Sequence, residues 1–119
     1  MRRDRSPLLR LADELVAEVH ALLPDVKPFA PNMAKQLGRS ADSVVCNVGE
    51  GYAAFQPGQK INAYDVASKE AGETAAGLDS LVSRGILPRA RISRAKGVAE
   101  TLIEKLTKTI ITLRGRTRD

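Results

Sequence analysis

The sequence predicts an all-α protein, an antiparallel up-down-up-down four-helix bundle built as one domain over residues 1–119. Three observations predict it. Prolines stand where helices would begin. Apolar residues between them recur at steps of three and four, and no segment alternates as a strand does. The chain holds two Tyr, two Phe and no Trp, so its core must be built from Leu, Ile, Val and Ala, which suits close helix packing. A chain of 119 residues buries roughly two-thirds of its unfolded surface, enough for a core without disulfides or metal.

The first helix is expected over 7–23. Ser6 offers an N-cap oxygen, Pro7 fits the first helical position, and Pro24 and Pro28 are expected to close the helix off. Its apolar stripe is Leu8, Leu11, Ala12, Leu15, Val19 and Leu22. The second, over 31–54, starts at Pro31 and carries Met33 or Ala34, Leu37, Ala41, Val44 and Val48. The third, over 58–83, follows Pro57 and carries Ile61, Tyr64, Ala67, Ala71, Ala75, Leu78 and Val82. It is rich in small residues, including Gly72, Ala76 and Gly77. Each internal Gly costs roughly 1 kcal/mol relative to Ala, so a close approach by another backbone is expected in return. Gly85 suits a left-handed helix end. The fourth, over 88–114, has Pro88 at its start and the cleanest stripe: Ile92, Ala95, Ala99, Leu102, Leu106, Ile110 and Leu113. Arg114 to Asp119 are expected to fray. Steps alternating between three and four fit helices crossing near ~20°, and the short connections make successive helices antiparallel neighbours.

One cysteine excludes an intrachain disulfide framework and fits a reducing, cytoplasmic setting. No apolar run approaches the ~20 residues a membrane span needs. The basic start, Arg2, Arg3 and Arg5, is followed by an amphipathic segment with Asp13, Glu14 and Glu18, which does not fit a secretory signal.

Charge is unevenly placed. Residues 1–83 hold nine Lys/Arg against eleven Asp/Glu, a balance of −2, whereas residues 84–119 hold ten against three, a balance of +7. A polyanion partner or a solvated basic face would each produce this pattern.

The residues that catalysis would need are sparse. His20 stands alone near Glu18, with no second His or Cys at metal-ligand spacing. It is read as a partly exposed helical histidine. Cys46, between Val45 and Asn47, reads as a small buried or half-buried thiol. Gly49-Glu50-Gly51 lacks the lysine and context of a phosphate loop. Glu70 and Glu73 lie one turn apart without the Glu-x-x-His pattern of di-metal bundles, so they read as ordinary helix charges. No enzyme activity, cofactor or metal is expected.

Two polar rows remain. On the second helix Arg39, Ser43, Asn47 and Glu50 share one face. Arg39 and Glu50 are eleven residues apart, a rise of about 16 Å, so each must find its partner elsewhere. This row reads as a packing or subunit seam rather than a ligand site, with Asn47 able to fix register. On the fourth helix Arg91, Arg94, Lys105 and Lys108 share a face, expected opposite the Leu stripe, and Arg84, Arg89 and Lys96 add charge at its start. Such a row can follow a phosphate backbone, or it can be a solvated face. Aromatic residues are absent from it, so base stacking along it is not supported.

The run from Gln36 to Gly51 resembles the bacterial four-helix-bundle proteins of the 23S rRNA-intervening sequence family. Relatives include the accessory variability determinant of diversity-generating retroelements. The family's second helix reads Gln-Leu-Arg-Arg-Ala-Ala-x-Ser-Ile-x-x-Asn-Ile-Ala-Glu-Gly. Gln36, Leu37, Arg39, Ala41, Ser43, Asn47, Glu50 and Gly51 match it, with Val44 and Val48 in place of isoleucines. Val66 to Glu73 looks like the third-helix motif, with Glu73 at the matching position. The resemblance is specific over 36–83 and loose elsewhere. Two departures, Gly38 for the first Arg and Tyr52-Ala53 where a basic residue usually follows Glu-Gly, remove positive charge from the second helix.

The resemblance implies a four-helix bundle that assembles with itself, as a pentamer in several members. The retroelement relatives bind nucleic acid and partner a reverse transcriptase. The expected function is a non-enzymatic, homo-oligomeric binding or scaffold protein, with RNA or DNA, or a reverse transcriptase or ribonucleoprotein, as candidate partners. The alternative is a protein–protein adaptor with no nucleic-acid role.

Overall fold

The computed structural model describes residues 6–117. They form four helices, α1 (Pro7–Val26), α2 (Pro31–Ala53), α3 (Pro57–Ser83) and α4 (Arg89–Thr117). Each helix packs on two others: α1 on α2 and α4, α3 on α2 and α4. Short connections make successive helices antiparallel, and opposed residue pairs join the neighbours. His20 meets Asp42 between α1 and α2, Ser40 meets Thr74 between α2 and α3, Asp79 meets Arg89 between α3 and α4, and Asp25 meets Arg91 between α1 and α4. The result is an antiparallel up-down-up-down four-helix bundle. The Cα atoms span 51 × 26 × 22 Å.

The caps follow from local chemistry. Ser6 Oγ accepts from the Leu9 amide at 3.3 Å, and Pro7, Pro31 and Pro57 occupy first-turn positions. Gly85, at φ +71°, ends α3 in a Schellman motif: the Ile86 amide donates to the Leu81 carbonyl at 2.9 Å and the Gly85 amide to Val82 at 3.0 Å. Lys60 closes α2 from across the connection, its Nζ donating to the carbonyls of Gly51 (2.9 Å) and Tyr52 (3.1 Å). An ammonium there also complements the negative end of the helix dipole.

Several boundaries differ from expectation. Pro24 does not end α1, which runs on to Val26. A proline in the last turn removes one hydrogen bond, and the fully buried Val26 side chain gives the extra turn a reason to form. Pro88 sits just before α4 rather than inside it, and α4 continues to Thr117 instead of fraying from Arg114. Asp119 and Arg2, Arg3 and Arg5 lie outside the described residues.

The core is aliphatic. The expected stripes of α2 and α4 are buried throughout, with Ala34 rather than Met33 facing inward. On α1 the inward row is Leu9, Ala12, Leu15, Val19, Leu22 and Val26, while Leu8 and Leu11 lie at its edge. On α3 the row runs through Ala63, Thr74 and Leu81, leaving Ile61, Ala75 and Val82 partly exposed. Close approach explains two glycines. A Cβ at Gly51 would lie 2.6 Å from Tyr64 Cδ1, and one at Gly77 would lie 2.7 Å from Leu37 Cδ2.

Candidate functional site

The polar row of α2 meets α3. Arg39 Nη2 donates to Glu73 Oε1 at 3.1 Å and Nη1 to Glu70 Oε2 at 3.5 Å, so one guanidinium bridges two carboxylates a turn apart. Ser43 Oγ donates to the same Glu70 oxygen at 3.2 Å. Asn47 turns back into its own helix, its Nδ2 donating to the Ser43 carbonyl at 2.9 Å, so it does not bridge helices. Below this network Ser40 and Thr74, both buried, share a 2.7 Å hydrogen bond. Glu70 is largely enclosed, and its second oxygen, Oε1, is buried with no hydrogen-bond partner.

Glu50 does not join the network. With Asn47, Gln59, Asn62, Ala63 and Val66 it lines an open hollow of about 440 Å³ where α2 ends and α3 begins. Among Arg39, Ser43, Asn47, Glu50 and Glu73, the structure therefore joins Arg39 and Glu73 directly, links Ser43 to them through Glu70, hangs Asn47 on Ser43, and leaves Glu50 apart. Glu70 and Lys60 carry much of this region's hydrogen bonding. The i+4 Ser43–Asn47 spacing was readable in sequence, but nothing there linked Arg39 to one carboxylate rather than another.

The basic residues of α4 behave differently from a solvated stripe. Arg91 donates to Asp25 at 2.7 Å, and Arg94 reaches Glu18 at 3.1 Å and Glu14 at 3.3 Å, all on α1. On the other edge Lys96 (3.0 Å) and Arg89 (3.3 Å) both hold Asp79 of α3. The Lys96 hydrogen bond, with that from Arg89 and both positive charges, pulls the Asp79 carboxyl below its ordinary pKa despite some desolvation. Lys108 pairs with Glu104 within α4 at 3.2 Å. Arg91 and Arg94 thus flank the Leu stripe along the α1 edge rather than standing opposite it. Among the described residues Arg84 and Lys105 make no ion pair; Arg84 donates to Met33 Sδ at 3.3 Å.

His20 is exposed and pairs with Asp42 of α2 at 2.9 Å, not with Glu18. Cys46 is exposed, contrary to the expected buried or half-buried thiol, because it lies on the flank of α2 that no other helix covers. Burial, with a smaller contribution from Tyr52, raises the Tyr64 phenol above its ordinary pKa. Among the described residues no three His, Cys, Asp or Glu side chains are grouped to hold a metal ion, and no helix is long and apolar enough to cross a membrane.

The chain is similar to known proteins at two levels. In the solved structures, a crystal structure from Bacteroides thetaiotaomicron VPI-5482, described as a protein with unknown function from the S23 ribosomal protein family, superposes with a TM-score of 0.81. It is 23% identical, covering 87% of this chain and 97% of its own, so the likeness speaks to fold. No curated protein matches the chain. The family model of the 23S rRNA-intervening sequence protein matches residues 7–108, a span that takes in α1 to α3 and α4 as far as Lys108. The chain belongs to the 23S rRNA-intervening sequence protein family.

Proposed function

We propose that the protein is a non-enzymatic binding or scaffold module that associates with itself, as a pentamer, and contacts RNA or DNA electrostatically. The observation that carries this reading is the charge distribution: residues 84–119 hold ten Lys/Arg against three Asp/Glu. Part of that charge is neutralised by carboxylates of the same chain, and the part available to a polyanion is carried by cations such as Arg84 and Lys105. The resemblance described above supports the pentamer. Its seam would use the surface flanking Arg39, Glu73 and Glu50, where polar groups and small residues of α2 and α3 lie side by side. A reverse transcriptase or a ribonucleoprotein is the kind of assembly such a module would serve.

Light scattering at micromolar concentration tests assembly, with a mass five times the 12.8 kDa chain expected and a clean monomer ruling it out. Nucleic-acid contact is tested by titrating a labelled oligonucleotide over a range of salt. Affinity should fall steeply as salt rises, and no binding at ~50 mM salt would remove this part of the reading.

A protein–protein adaptor is the second reading. It is favoured by the pairing of Arg89, Arg91, Arg94 and Lys96 with carboxylates of the same chain, which gives those cations a structural task. Charge reversal at Arg91 or Arg94 would set a carboxylate against Asp25 or Glu18 and confound folding with binding. Lys105→Glu avoids this. Weaker oligonucleotide binding by that variant supports the first reading, and absence of binding by the unaltered protein supports the second.

A further inference from the structure

Two exposed side chains from distant parts of the sequence line one hollow at the end of the bundle where α1 joins α2 and α3 joins α4. Phe29 is 76% exposed, although the chain has only four aromatic residues. It lines an open hollow of about 380 Å³ together with Ala30, Arg84, Gly85 and Ile86. That volume is within the range of small-ligand sites. Of the five basic residues between 84 and 96, four are held by carboxylates, and Arg84 is the one that is not. Its contact to Met33 Sδ steadies the guanidinium without cancelling its charge. A second hollow, of about 620 Å³, is built on the same α1–α2 connection and has Lys27 and Lys35 on an otherwise apolar wall. Neither lysine forms an ion pair among the described residues.

The combination of an open aromatic face, an unpaired guanidinium beside it and two further free cations matches the chemistry of a single strand: a base stacks on the ring and the adjoining phosphates meet the cations. The other exposed phenylalanine, Phe55, is at the opposite end, and among the described residues the hollow lined by its neighbours contains Glu50 and no cation. We infer that the Phe29–Arg84 hollow is a single-strand nucleic-acid contact, with one base stacked on Phe29 and a phosphate held by Arg84. The inference rests on the nucleic-acid reading above and moves the contact from the length of α4 to the loop end of the bundle.

The test is fluorescence anisotropy with a labelled twelve-nucleotide poly-U strand, over a salt series, on the full chain. Both side chains are exposed, so Phe29→Ala and Arg84→Gln should fold, which the helical circular dichroism signal checks. Phe29→Ala should weaken binding at least about fivefold, the lower end for loss of one base–aromatic stack, with an unchanged salt slope. Arg84→Gln should weaken binding and reduce the slope of log affinity against log salt by about 0.7, the value for one phosphate on a single strand. Binding by the unaltered protein with both variants within twofold of it would overturn the site and leave the nucleic-acid reading standing. No binding by the unaltered protein at ~50 mM salt would overturn both. Poly-glutamate of equal charge competing as well as unlabelled strand would also overturn the site, since an acidic polypeptide has no base to stack.

Discussion

Ser40 and Thr74 face each other across the α2–α3 interface with their hydroxyl oxygens 2.7 Å apart. Each also lies within hydrogen-bond reach of a carbonyl in its own helix, Leu37 for Ser40 and Glu70 for Thr74. Two hydroxyls supply two hydrogens for these three contacts, so one donates across the interface while the other donates to its own helix. Either partner alone can still satisfy itself locally. Ser40→Ala and Thr74→Val should therefore each cost about 0.5–1.5 kcal/mol, and the double variant less than their sum. Urea denaturation of the four proteins measures the coupling. Strict additivity would mean that the bond across the interface contributes nothing.

Arg39 and its two carboxylates should be unequal partners. Glu70 is largely enclosed and Glu73 is 62% exposed. Removing the guanidinium leaves Glu70 without its cation, so Arg39→Ala is expected to cost about 1–3 kcal/mol, and adding Glu70→Gln should recover part of it. Glu73→Ala should cost less than about 1 kcal/mol, as an exposed pair does. A larger loss from Glu73→Ala than from Arg39→Ala would contradict this order, and chemical denaturation decides it.

Three glycine-to-alanine variants should separate in sign. At Gly51 the new methyl would enter the Tyr64 ring, and overpacking there should destabilise by about 1–3 kcal/mol. At Gly77 it would press on the tip of Leu37, a flexible end, so the gain in helix propensity should nearly cancel the strain. At Gly72 nothing lies within 4 Å, and Ala should stabilise the fold by about 0.5–1 kcal/mol. Thermal melts of the three variants give the ranking. A stabilised Gly51→Ala would mean that α2 and α3 are not as close as described.

Asp79 should shape the acid limb of the stability profile. Its folded pKa lies below the unfolded value, chiefly through the Lys96 hydrogen bond. Its contribution is therefore complete above the unfolded carboxylate value, about 3.9, and is lost as pH falls through the lower folded value. Asp79→Asn lacks that titration. Its stability should fall less steeply than that of the unaltered protein below about pH 4, measured by urea midpoints across the range. Parallel profiles would exclude a role for the pair.

Much of the fold was legible because its determinants are local. Ser6, Pro31, Pro57 and Gly85 act on the turn they occupy, and the α4 stripe from Ile92 to Leu113 needs only its own period. The inward row of α3 was less legible, because Thr74 is buried through a partner hydroxyl on α2, and Ala75 looked the more apolar choice. Pro24 misled for the opposite reason: its local penalty is real, and a distant core offsets it through Val26. The charges on α4 were hardest to read. Arg94 is 80 residues from Glu14 in sequence and 3.3 Å from it in space, so counting charges along the chain registered a basic stripe where the bundle holds ion pairs. In sequence Arg84 reads only as charge at the start of α4 and Phe29 does not stand out, since 55 positions divide them and only the antiparallel stacking of α1–α2 on α3–α4 puts them on one hollow.

The antiparallel pairing of α1 with α4 also has a practical side. Asp25 opposite Arg91 and Glu14 opposite Arg94 run the two helices in opposite directions, with the start of α1 toward the end of α4. The first turn of α1 and the last turn of α4 therefore lie toward the same end of a bundle whose long axis is 51 Å. That end is remote from Phe29 and Arg84. Immobilising the protein through a residue in the first turn of α1 or the last turn of α4 would present the loop end outward, so surface-captured protein and free protein should give the same strand affinity.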